Sequence, residues 1–191
     1  MWTVITESLD LLSAAGADIG DTQLGAPTPC TDWTVAQVLQ HAAGDQLAWA
    51  AAAGTGSGPQ DNPFEPSGHL DGTVDELLAP AIATAQAAWA TIAADAPSVP
   101  TPLPQGALPA ATAAAACALD AAVHAWDITS ALGRPSALAP ELAAQLLPAA
   151  RAIVEPLRQY GAYAPALEPE AGDDPAAELL RYLGRDPHWH P

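Results

Sequence analysis

Asp120 and His124 stand four residues apart in a stretch otherwise made of alanines, Cys117, Leu119, Val123 and Trp126, and His41 stands alone on a second helical segment. On a helix, residues i and i+4 share a face with Cβ atoms about 5–6 Å apart, so Asp120 and His124 can chelate one ion together. His41 would close the set from across a helix bundle. Two imidazoles and a carboxylate make three protein ligands, the number that leaves a divalent metal one open position for water or substrate. The donor set suits zinc, and suits nickel or iron(II) nearly as well. The same spacing also fits a hydrogen-bonded Asp–His pair and a packed histidine with no metal. Asp45 lies one turn after His41, and Asp127 lies three residues after His124. Each can orient an imidazole or accept a proton if it faces the same pocket, and is otherwise a solvated helix residue.

These residues need rigid elements to bring them together. Apolar spacing predicts a first helix over about 3–16, ending near Gly16 and Gly20. Thr34 followed by Gln37 is a capping box, with Trp33 placed to pack on Val38, and it opens a second helix that buries Val35, Val38, Leu39, Ala42 and Trp49. Residues 54–72, rich in Gly, Pro, Ser and Asp, read as a long surface loop of the kind that serves as a lid. A second capping box, Thr73 with Glu76, opens a third helix to about Ala94. After the PSVPTPLPQG linker, a fourth helix over about 108–131 carries Asp120 and His124 and stops at Gly133 and Pro135. A further helix over about 140–160 should be kinked or split by Pro148 and Pro156. Short helical turns near 175–183 and a loose GRDPHWHP end complete the pattern. No strand periodicity persists, so the expected fold is an all-α antiparallel bundle.

Composition narrows the function. The 191 residues fit one domain, and 47 alanines with a single phenylalanine predict a core of closely approaching helices. The formal charge is −17, there is no lysine, and the first positive side chain is Arg134. A chain so poor in cations cannot neutralise phosphates, which argues against nucleic acid and anionic membranes as partners. The acidic start, with Glu7 and Asp10, does not read as a secretory signal, and no apolar run is long enough to span a bilayer. Cys30 and Cys117, far apart and outside any CxxC pattern, point to a reducing cytoplasm, with Cys30 taken as a small buried residue and not a nucleophile. Trp33 and Trp126 read as core. His69, His188 and His190 read as exposed.

Three blocks carry a resemblance: PTPCTDWTVAQVLQHAAG at 27–44, DAAVHAWDITSALGRP at 120–135 and LLRYLGRDP at 179–187. They resemble the actinobacterial metal-binding proteins of the DinB-like superfamily, which includes the amino-terminal domain of mycothiol-dependent maleylpyruvate isomerase. The resemblance implies an up-down-down-up four-helix bundle over residues 1–161, holding a divalent metal near one end. Residues 162–191 would form an extension with a short extra C-terminal helix, packed on the bundle or partly loose. His41 and His124 match the family's histidines. Asp120 falls where the isomerase has a glutamate; one methylene shorter, it either ligates from a tighter geometry, ligates through water or stays off the metal.

The resemblance also implies a reaction class. In that superfamily the nucleophile is typically a low-molecular-weight thiol such as mycothiol, so the expected activity is a metal-dependent thiol transferase or isomerase acting on a small electrophile. His41, Asp120 and His124 would hold the metal, Asp45 or Asp127 would tune it, and Arg134 is the first choice of cation near the pocket. A non-catalytic metal-binding protein and a thiol-independent metal enzyme are the alternatives. A cytoplasmic monomer or homodimer is expected, with neither nucleic acid nor membrane as partner.

Overall fold

The computed structural model describes residues 2–30 and 32–191; Met1 and Thr31, the latter inside the first of the three blocks, lie outside them. Among the described residues six α-helices follow in order: α1 Thr3–Gly16, α2 Val35–Ala52, α3 Val74–Thr91, α4 Ala110–Ala131, α5 Pro140–Arg158 and α6 Pro175–Tyr182. Among the described residues the only β pairing is two isolated bridges, Pro27 with Thr34 and Val99 with Leu108. None of the described helices is long and apolar enough to cross a membrane.

Both capping boxes form. Gln37 Oε1 accepts from the Thr34 backbone N–H at 3.0 Å, and Glu76 Oε2 accepts from that of Thr73 at 2.8 Å. These contacts satisfy N–H groups that a helix start leaves without intrahelical partners, and they fix where α2 and α3 begin. α4 ends as its glycine predicts: Gly133 adopts φ 62°, and the Arg134 N–H returns to the Thr129 carbonyl at 2.9 Å. α6 ends in the same way, with Gly184 at φ 81° and the Arg185 N–H on Leu180 O at 2.9 Å.

Helix directions follow from which ends meet. Trp2, at the start of α1, donates its indole N–H to Ile92 O just past α3, while Gly16 at the end of α1 abuts Val74 and Leu78 at the start of α3. Trp49 near the end of α2 packs beside Trp89 near the end of α3, so α2 and α3 run the same way. Arg134, just past α4, reaches the final carbonyls of α1, so α1 and α4 run together and opposite to the other two. The result is an up-down-down-up bundle in which α1 packs on α3 and α4, α2 packs on α3 and α4, and α5 lies on α4 and α6.

α4 is buried almost all round because it is flanked by α1, α2 and α5. Its alanines permit that close approach, and they leave its few polar side chains away from water.

Of the two outcomes expected for α5, the split does not occur: it runs as one helix through Pro148 and Pro156. Both prolines are exposed, as are Ala144 and Ala152, whose carbonyls lose their i+4 donors; water can take the place of those donors. The chain end is also less loose than its composition implies. Within the GRDPHWHP end, Arg185 is buried and Gly184, Pro187 and Trp189 are half-buried, while His188 and His190 are exposed.

Candidate metal centre

α2 supplies His41 and α4 supplies Asp120 and His124, and the two helices cross so that one ligand atom from each residue lies within 4.8 Å of the others. Asp120 Oδ1 is 3.5 Å from His41 Nε2 and 3.4 Å from His124 Nε2. Bonds of about 2.1 Å to a tetrahedral ion would hold ligand atoms about 3.4 Å apart, so these two separations are compatible with a divalent metal between the three side chains. All three side chains are nearly buried, each with a narrow exposed edge.

The far side of each ligand is anchored. His41 Nδ1 lies 2.9 Å from the Pro63 carbonyl, and His124 Nδ1 lies 2.9 Å from Asp127 Oδ2. An acceptor at each Nδ1 holds the proton there and turns Nε2 toward the shared point, the arrangement a metal-ligating imidazole requires. Gln46, fully buried on α2, donates from Nε2 to Asp120 Oδ2 at 3.2 Å and leaves Oδ1 to the imidazoles. The Gln46 carbonyl accepts from the Cys117 thiol, which in turn accepts from the Trp89 indole.

The charges are distributed as this geometry demands. Burial alone would raise the Asp120 carboxyl, but the two imidazoles outweigh it and hold the group well below the usual carboxylate range. Burial would likewise lower His124, yet Asp120 and Asp127 carry it up to about 9, so without a metal a proton occupies the cation's place. Asp127 is drawn down to about 2 against its burial, chiefly by Arg185 and then by His124. Half-buried Asp45 is pushed up to about 7 by burial and by the Asp120 charge, with His41 and His124 opposing.

Of the residues picked from sequence, His41, Asp120, His124 and Asp127 converge directly, and Asp45 lies near enough to exchange electrostatic effects with them. Arg134 does not join them. Its guanidinium donates to the carbonyls of Ala15, Ala17 and Asp18 at the end of α1, a helix terminus that favours a cation. The arginine at the centre is Arg185, whose Nε and Nη2 each lie 2.8 Å from an Asp127 oxygen. Sequence reading passed over it, although Gly184–Arg185 after α6 repeats the Gly133–Arg134 signal after α4. Gly184 is needed there, because a Cβ would lie 2.8 Å from Ala164 Cβ and from Pro165 O.

Other neighbours had no local signal. Trp33, read as core, is half-buried and packs tilted against the His41 ring with centroids 4.7 Å apart, while exposed Phe64 meets the same ring edge-on at 5.3 Å. Tyr163 is raised above the usual phenol range by burial and then by the Asp120 charge. Cys30 is pushed up to about 12 by burial and then by Asp127, so it is a protonated thiol and a poor nucleophile. Trp126 is buried as expected, and His69 stays exposed beside Asp71.

The 54–72 segment carries Pro63 and Phe64 and is strapped to α2. Gln37 Nε2 donates to Pro66 O, Gln40 Nε2 donates to His69 O at 2.8 Å, and Gln40 Oε1 accepts from the Gly68 N–H at 2.7 Å.

Comparison with known proteins adds two findings. The family described as "Mycothiol maleylpyruvate isomerase N-terminal domain" matches residues 5–129, the span that includes all three ligand candidates. Two uncharacterized proteins of Mycobacterium tuberculosis, from strains CDC 1551 / Oshkosh and H37Rv, are each 35% identical over 181 residues, which is 92% of this chain and 92% of theirs. No solved structure matches.

Proposed function

We propose, from the premise that this chain belongs to the mycothiol maleylpyruvate isomerase N-terminal domain family, that it is a divalent-metal-dependent transferase or isomerase that uses a low-molecular-weight thiol of the mycothiol type on a small electrophile. What supports this reading most is the pair of imidazoles anchored at Nδ1, with both Nε2 atoms turned to one Asp120 oxygen at 3.4 and 3.5 Å. A bound divalent metal, with zinc our first choice, supplies a Lewis acid that lowers the pKa of a thiol or water and polarises a carbonyl.

The chain's own residues have distinct roles in this reading. His41, Asp120 and His124 hold the ion. Asp127 and the Pro63 carbonyl keep both imidazoles in the ligating tautomer. Asp45, with its carboxyl raised to about 7, takes the proton of the incoming thiol at neutral pH. The thiol sulfur then bonds to the electrophilic carbon. In transfer a leaving group departs with the electron pair of the broken bond; in isomerisation the sulfur–carbon bond breaks again after rotation about the former double bond. Phe64 and Trp33 provide apolar walls that keep water from competing. A cytoplasmic location accords with two free cysteines, Cys30 and Cys117.

The test has two stages. Elemental analysis of untagged protein should find near-stoichiometric metal in wild type and little in His124→Ala. The metal-loaded protein should then consume a generic electrophile only when a thiol is added. Metal without turnover would instead indicate a binding protein, turnover without thiol a hydrolase or biosynthetic enzyme, and a chain that takes up no zinc, nickel or iron would end the metal reading.

A further inference from the structure

The chain has five arginines and no lysine, and all five arginines lie among the described residues. Each is already engaged. Arg151 pairs with Glu178 at 2.7 Å, Arg158 with Glu155 at 3.1 Å, and Arg181 with Glu170 and Asp173 at 2.8 and 3.1 Å. Arg134 is held by the carbonyls that end α1. Only Arg185 belongs to the metal centre, and Asp127 takes it through two hydrogen bonds in a pair that has no net charge.

The charges already balance once one thiolate is bound. Asp127 offsets Arg185, Asp120 would offset one charge of a bound dication, and a ligating thiolate, its proton passed to Asp45, would offset the other. A further carboxylate on the ligand would have no unbalanced side-chain cation to meet it, in a chain of formal charge −17. Desolvating an unpaired charge at such a place strongly opposes binding.

We infer that the molecule recognised at this centre is uncharged or cationic apart from the atom it presents to the metal, and that dicarboxylates are excluded by charge. This rests on the metal reading above and narrows its substrate class. Asp127 then acts as a specificity residue, because it neutralises the one arginine at the centre.

The test loads the full chain with Co(II) and titrates it, at mildly alkaline pH and low salt, with three short thiols: 2-mercaptoethylamine, 2-mercaptoethanol and mercaptoacetate. The readout is the thiolate-to-cobalt charge-transfer band, and each affinity is corrected by that of the same thiol for a small Co(II) complex. The anionic thiol should bind about tenfold or more weakly than the neutral one, the cationic thiol at least as tightly, and Asp127→Asn, which leaves Arg185 unbalanced, should narrow the gap. Mercaptoacetate binding as well as mercaptoethanol overturns the inference and leaves the metal reading standing. Failure of cobalt to load, or of any thiol to change the spectrum, overturns the metal reading and the inference with it.

Discussion

Gln46 Nε2 lies 3.2 Å from Asp120 Oδ2, and this one contact divides the carboxylate into an oxygen held by α2 and an oxygen left for the two imidazoles. Because the Gln46 carbonyl in turn accepts from the Cys117 thiol, and that sulfur from the Trp89 indole, the ligand's orientation is set by a buried chain of donors crossing α2, α4 and α3. A half-satisfied version of such a chain is costly, which makes its members testable one at a time.

Gln46→Met keeps the volume and removes the donor. Metal affinity measured by chelator competition should fall by about 10–100-fold, the usual cost of losing a group that orients a ligand. Unfolding in urea should show a loss of about 1–3 kcal/mol for the unpartnered Asp120 oxygen in the metal-free protein. Unchanged metal affinity would reduce Gln46 to a packing residue.

Metal binding should depend on pH through His124. In the metal-free protein its pKa is raised to about 9, so a metal must displace that proton, and affinity should climb about tenfold per pH unit up to that value and then flatten. The stability linkage has the opposite sense. The protonated imidazole's contribution is fully present below its ordinary value near 6.5 and is lost as pH rises through 9. Thermal melts of metal-free protein should therefore decline across that window while metal-loaded protein stays level. A plateau in affinity already at neutral pH would mean that His124 is not held as the cation.

Arg185→Met leaves the fully buried Asp127 without its guanidinium. Removing one partner of a buried pair costs about 3–5 kcal/mol, and the double variant with Asp127→Asn should recover part of it. If equilibrium unfolding changes by less than about 1 kcal/mol, the pair is not the anchor of the C-terminal segment that its geometry describes.

Gly44→Ala should separate stability from metal binding. Alanine favours the α2 interior by roughly 1 kcal/mol over glycine. Its Cβ, however, would lie 2.8 Å from Pro63 Cβ, and Pro63 carries the carbonyl that holds His41 Nδ1. The strap must shift, so metal affinity should drop severalfold while the melting temperature changes little. Equal affinity in the two proteins would show that the strap gives way without moving its carbonyl.

The relation between sequence and site differs from residue to residue. Thr34–Gln37 and Thr73–Glu76 announce helix starts because their hydrogen bonds span three residues, and both boxes form. Gly133 and Gly184 announce helix ends for the same local reason. Pro148 and Pro156 do not by themselves tell whether α5 splits, because the cost of a proline depends on whether the freed carbonyl meets water, and only packing decides which face of α5 is wet. The two Gly–Arg signals are locally alike, yet Arg134 goes to the carbonyls of α1 and Arg185 to Asp127; nothing within a few residues of either distinguishes them.

What the sequence determined by itself is the set of elements and one half of the centre: an i,i+4 Asp120–His124 pair on an alanine-rich helix, with Asp127 on the next turn. His41 was legible as a partner through the resemblance of its block, and the directions of the helices through the same route. Tertiary structure alone decided the rest. Gln46, Trp33, Phe64 and Arg185 reach the centre from positions whose spacing along the chain carries no period, because hydrogen bonds and ion pairs act over a few ångströms in space, and only the packing of α2, α4, the 54–72 segment and the chain after α6 brings those ångströms about.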